Sequence, residues 1–301
     1  MPSSRATVSV FRNAEAILGE SLIFAPDDAG GTLYWCDITA GLIHRSPLAA
    51  PADGSGDSVI RLPPPVASFS LARIGDGTGF VVSLGDRIVL TDDAGLELRE
   101  LAAVPHRHDG LRMNEGKVDP QGRWVSGSMN LTSGDPDGAF YSLDSAAGSE
   151  LRVLRGGLGV ANGLEWSGDG SRIFFTDTSV STIYTGDYSA EGEISNVETF
   201  HSGEPHDGLA MDVDGSLWGA LYGEGRVVNY SADGKVLRTV ELPAPNLTSV
   251  AFGGDAMSTL YVASARENLT EEQLVQHPLS GAVFAIETDA RGRLPRTFVT
   301  D

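Results

Sequence analysis

One phrase recurs along this chain of 301 residues: a turn containing Gly and often Asp, followed by a short apolar or aromatic run. It reads "DDAGGTLYWCDI", "GDGTGFVVSL", "DPQGRWVSGS", "SGDGSRIFFTDT", "DVDGSLWGAL" and "GGDAMSTLYVAS". With Tyr34, Phe80, Trp124, Phe174, Trp218 and Tyr261 as markers, the steps are 46, 44, 50, 44 and 43 residues. A second apolar strand phrase lies between successive markers, for example "GLIHRSPL", "STIYTGDY" and "GAVFAIETD". Each unit therefore reads as about four short strands joined by turns, and a period of roughly 40–50 residues with that content predicts a propeller blade. One such sheet cannot bury both of its faces, whereas six packed radially cover one another. The expectation is an all-β six-bladed β-propeller formed by residues 1–301 as one domain, its ends "ATVSVF" and "RTFVT" pairing to close the ring. Only "ENLTEEQLVQH", residues 267–277, reads as helical, and it falls between two strands.

The repeat also aligns polar residues. Eight positions before the turn glycine, Gly122, Gly170 and Gly215 lead back to Asn114, Asn162 and Asp207. Anchored on the apolar residue that follows, the remaining units give Glu20, Thr248 and, in the second, Phe69 or Ser70. In a propeller this place begins the innermost strand, so the equivalents ring one end of the central channel. Any one Asn or Asp there reads as an ordinary turn residue; four oxygen-bearing side chains at one repeat position ask for more. Two carboxylates and two amides brought together repel and lose hydration unless a cation joins them. An all-oxygen set suits Ca²⁺, Mg²⁺ or Mn²⁺, and the lack of Cys and His at these places argues against structural zinc. Arg112, two residues before Asn114, shares its side of the strand and could hold a substrate oxygen or pair with Glu115. The His pair of "PHRHDG", residues 105–110, reads as a solvated loop.

Composition narrows the partners. A formal net charge of −20 disfavours nucleic acid and anionic membrane and favours cations. A single cysteine, Cys36, excludes an internal disulfide and reads as core. No apolar run is long enough for a signal peptide or a membrane span, so the expectation is a cytoplasmic protein, monomeric or a small homo-oligomer.

Several longer stretches, in order, carry a resemblance: "GESLIFAPDDAGGTLYWCDI", "RMNEGKVDPQGRWVSGSM", "NGLEWSGDGSRIFFTDT", "HDGLAMDVDGSLWGALYGEGRV" and "TSVAFGGDAMSTLYVASAR". Together they are similar to the senescence marker protein, gluconolactonase and luciferin-regenerating enzyme family over nearly the whole chain. The resemblance implies a six-bladed propeller with one catalytic divalent cation at one end of the channel. Its metal ligands fall on Glu20, Asn162 and Asp207, its substrate-binding residues on Arg112 and Asn114, and its general base on Asp207. It implies Ca²⁺ first, with Mg²⁺, Mn²⁺, Zn²⁺ or Fe²⁺ as alternatives. Departures from the family pattern are Glu115 in place of Asp, His206 in place of Pro, and Asn130, Leu131 and Thr132 where some members carry an acidic substrate contact.

The expected activity is metal-dependent hydrolysis of a sugar lactone to its aldonic acid. Two alternatives stand beside it: hydrolysis of a non-sugar lactone or an organophosphate ester at the same site, and an interaction scaffold whose cation is structural. An arginine beside an open metal position separates enzyme from scaffold, because a scaffold has no use for it.

Overall fold

The computed structural model describes residues 7–133, 135–145 and 150–300. Six antiparallel sheets follow one another along the chain as the blades of a β-propeller. Blade one runs Gly19–Ala25, Thr32–Asp37, Leu42–Pro47 and Ser58–Arg61 from the channel outward. The innermost strands of blades two to six are Val66–Ile74, Leu111–Val118, Ala161–Trp166, His206–Met211 and Leu247–Gly253. The turn leaving each innermost strand explains the recurring Asp and Gly. In blade three the Asp119 carboxylate accepts from the backbone N–H groups of Gln121 and Arg123 at 2.9 and 2.8 Å, while Gly122 takes a φ of 87°. Asp212 repeats the device with Asp214 and Ser216, beside Gly215. An Asx turn closes the backbone tightly where a side chain at positive φ would be strained.

The markers lie buried on the second strands, where neighbouring sheets face each other. Trp35, Trp124, Trp166 and Trp218 are all but fully buried, and truncating such a residue typically costs about 3–5 kcal/mol. Between the second and third strands of blade six stands the one α-helix among the described residues, Glu271–Gln276, where helical periodicity places it. No helix among them is long and apolar enough to cross a membrane.

The two ends do not pair with each other. Thr7–Arg12 pairs antiparallel with Val283–Glu287 and becomes the outermost strand of blade six, so that slot is taken. The chain leaving Glu287 is at the far end of the channel and crosses it instead. It bridges to Asp212 at Gly292, Arg293 donates to the Trp166 carbonyl at 2.7 Å, and Phe298–Thr300 pairs in parallel with Ala72–Ile74 of blade two. This strap closes one end of a cavity of about 210 Å³ inside the channel, lined among others by Glu115, Lys117, Glu165, Arg293 and Arg296.

Candidate active site

Every innermost strand carries a register bulge near its start. The pairing slips at Glu20/Ile23, Met113/Gly116, Asn162/Leu164, His206/Leu209 and Leu247/Val250. A bulge lets two neighbouring residues oppose one, re-aiming a side chain that would otherwise follow the pleat. The repeat alignment and the bulges thus coincide in five blades. In blade two the bulge lies earlier, at Val66/Ser68, and Phe69, paired with Val82, fills the corresponding place without an oxygen. Thr248 turns away as well, its hydroxyl donating to the Gly19 carbonyl.

Glu20, Asn114, Asn162 and Asp207 are all buried at this end of the channel. Asn114 Nδ2 donates to Asn162 Oδ1 at 3.1 Å and to the Ala161 carbonyl at 3.1 Å. Asn162 Nδ2 reaches Thr178 Oγ1 at 3.3 Å, and that hydroxyl donates to the His206 carbonyl at 2.6 Å. The backbone just before Asp207 is thereby tied to blade four. Thr178 was not foreseen from the repeat, since it sits one residue past the second strand in a turn of its own.

Burial pushes the Glu20 carboxyl up to about 8, and the charge of Glu115 adds to it; the Ser21 N–H, Arg112 and Asp207 pull the other way. Burial first, then Glu20 and Glu115, hold Asp207 well above the usual carboxylate range. Asp207 Oδ1 is buried with no hydrogen-bond partner among the described residues. An orphaned carboxylate oxygen beside a second buried carboxylate and an amide is a poor arrangement for a protein alone and a fitting one for a divalent cation. No three His, Cys, Asp or Glu side chains group for metal binding among the described residues.

Arg112 does not pair with Glu115. Its Nη1 donates to the Met113 carbonyl at 2.8 Å and to Asn114 Oδ1 at 2.7 Å, leaving Nε and Nη2 without a hydrogen bond among the described residues. Glu115 instead lines the cavity, where burial raises its carboxyl and the charge of Lys117 pulls the other way. His206 does not reshape the rim either, because strand alternation turns it into blade five as it turns Asp207 to the channel. It is 1% exposed, with Nε2 2.8 Å from Tyr230 Oη, and burial lowers its pKa to about 4. Asn130 folds onto its own loop, accepting from the Thr132 N–H at 2.9 Å, while Leu131 stands exposed. His106 is half-buried rather than solvated, and His108 lies 3.5 Å from Asp137. Cys36 is core, opposite Glu20 on the neighbouring strand.

The geometry has relatives. The sequence profile of the SMP-30/Gluconolactonase/LRE-like region matches residues 18–266. A 6-deoxy-6-sulfogluconolactonase of Pseudomonas putida is 35% identical, covering 92% of this chain and 93% of its own. An L-arabinolactonase of Azospirillum brasilense is 31% identical over 99% and 96% of the two chains. Among solved structures, regucalcin from Agrobacterium tumefaciens, described as a calcium-binding protein, superposes with a TM-score of 0.86 at 28% identity, covering 98% of both chains.

Proposed function

Because the chain belongs to the SMP-30/gluconolactonase/LRE-like family, we propose that it is a single-domain, metal-dependent lactonase that opens a sugar-derived lactone to its aldonic acid. The observation that carries this reading is the pairing of an orphaned buried oxygen on Asp207 with the unused Nε and Nη2 of Arg112 at one channel end. Carboxylates in need of a cation stand beside donors in need of an acceptor. A purely structural ion has no use for the second half of that pairing.

Glu20, Asn162 and Asp207 would hold the cation, and their oxygen donors favour Ca²⁺. The chemistry such an ion supplies is positive charge where the lactone carbonyl oxygen becomes an oxyanion. Arg112 and Asn114 orient the lactone ring, replacing the tumbling of a free substrate by one approach geometry. Asp207 accepts a proton from water as the water oxygen adds to the carbonyl carbon. When the ring C–O bond breaks, the ring oxygen leaves as a hydroxyl and takes up that proton. Removing the channel ions and restoring Ca²⁺, Mg²⁺, Mn²⁺, Zn²⁺ or Fe²⁺ singly, against a panel of aldonolactones, tests the reading. Turnover returning with one or more ions supports it; no turnover on any lactone with any ion overturns it.

A further inference from the structure

The connection between the second and third strands of blade six, residues 265–282, arches over the same end of the channel and is the longest of its kind in the ring. Its start is fastened to three blades through its backbone. The Glu267 N–H donates to the Ile17 carbonyl at 2.8 Å, and the Glu267 carbonyl accepts from Asn246 Nδ2 at 2.8 Å and from the Tyr222 hydroxyl at 3.4 Å. Asn268 Nδ2 in turn donates to Tyr222 Oη at 2.9 Å. These bonds fix where the Glu267 side chain starts without occupying it. The carboxylate itself takes one contact, from Thr39 Oγ1 to Oε2 at 3.3 Å, and Oε1 has no partner among the described residues.

The charge of Glu267 also reaches Arg112. Of the acids acting on that guanidinium its charge comes first, ahead of Glu20 and Asp207, yet no ion pair closes between the two. Glu267 thus offers an acceptor, and Arg112 a donor, at the same end of the channel. Three cations near this end have acidic partners: Arg107 with Asp137 at 3.9 Å, Arg226 with Glu204 at 2.8 Å and Arg266 with Glu15 at 3.5 Å.

We propose that Glu267 is a substrate-binding residue that accepts a hydrogen bond from a sugar hydroxyl, and that it makes the site selective for uncharged polyhydroxy lactones over lactones bearing a sulfonate. The inference rests on the lactonase reading. A sulfonate placed where that hydroxyl lies would meet the Glu267 carboxylate, in a protein whose net charge is −20.

The test compares kcat and KM for gluconolactone and 6-deoxy-6-sulfogluconolactone in the metal-loaded wild type, Glu267→Gln, Glu267→Asp and Thr39→Val. The wild type favours the neutral lactone. Glu267→Gln raises KM for it by roughly tenfold or more, as loss of a hydrogen bond to a charged group does, with kcat changed far less, and narrows the neutral-to-sulfonated ratio. Glu267→Asp recovers part of the loss, Thr39→Val gives a smaller one, and calcium affinity by titration stays at the wild-type value. An unchanged ratio in Glu267→Gln, or a wild type that prefers the sulfonated lactone, overturns the proposal. If no lactone is turned over, the lactonase reading fails separately. Calorimetric binding of 1,5-anhydroglucitol, the ring without its carbonyl, then decides for Glu267: weakening by about tenfold in Glu267→Gln supports it, and equal binding refutes it.

Discussion

Metal-free, the protein carries two buried carboxylates, Glu20 and Asp207, at one channel end, and Glu20→Gln should therefore stabilise it. Glu20 has an ordinary pKa of 4.5 and is raised to about 8 by burial and by Glu115. At 1.36 kcal/mol per pKa unit, that gap corresponds to on the order of 5 kcal/mol of penalty on the ionised form. The sign follows from which state keeps the proton. Above pH 4.5 the unfolded chain releases it while the folded protein holds it until about pH 8. The stability associated with neutral Glu20 is complete below 4.5 and is lost as pH rises through about 8. A glutamine stays neutral throughout and escapes the loss. In chelator at pH 8, Glu20→Gln should exceed the wild type by about 3–5 kcal/mol, a rise in Tm of roughly 5–10 °C at this chain length. Near pH 4.5 the two should agree within about 1 kcal/mol. Saturating Ca²⁺ should reverse the order, since ligand binding stabilises only the chain that binds it. Melting curves followed by circular dichroism across pH 4.5–8.5, with chelator and with Ca²⁺, give all three comparisons. A metal-free variant no more stable than the wild type at pH 8, or a difference independent of pH, would refute the reasoning.

Two further perturbations separate roles around Asp207. Asp207→Asn keeps an oxygen donor but cannot accept water's proton, so kcat should fall by roughly 10²-fold or more even under demonstrated metal saturation; a near wild-type kcat removes the base role. His206 runs opposite in sign to Glu20, because its pKa is lowered to about 4 while the unfolded value is 6.5. Its contribution is present above 6.5 and lost as pH falls through about 4, on the order of 3 kcal/mol in all. Acid denaturation of His206→Phe should show a shallower loss across that window, and a slope equal to that of the wild type would place the acid sensitivity elsewhere.

What the sequence disclosed and what it hid follow from the same repeat. Asn114, Asn162 and Asp207 could be aligned because the turn glycine, the bulge and the channel position recur at a constant offset along the strand. Blade two escaped that arithmetic, since its bulge at Ala67 precedes the expected place and spacing does not register where a strand slips. The orientation of His206 was open because its neighbour's role says nothing about which face of the pleat it takes. Termini carry no repeat partner at all, so the pairing of Thr7–Arg12 with blade six and of Phe298–Thr300 with blade two depended on which sheet edges were free. Glu267 lies in an insertion that no other blade shares, and its relation to Arg112 exists only once the ring has closed.

That closure has a temporal side. Thr7 pairs with Glu287, a separation of 280 residues. At a synthesis rate of about 5–20 residues per second, the first strand leaves the ribosome roughly 15–55 s before its partner exists. During that interval blades one to five can form as a growing stack of locally paired sheets, since each is assembled from consecutive strands. The channel end that carries Glu20 faces Asp207 only after blade six arrives between blades five and one. The proposed cation site is therefore among the last features of the molecule to be completed, and a nascent chain lacking its final 20 residues would hold most of the blades but neither latch. If the proposed site takes calcium, calcium supplied during translation should act at the end of folding, as a lock on the finished ring, rather than as a nucleus for it.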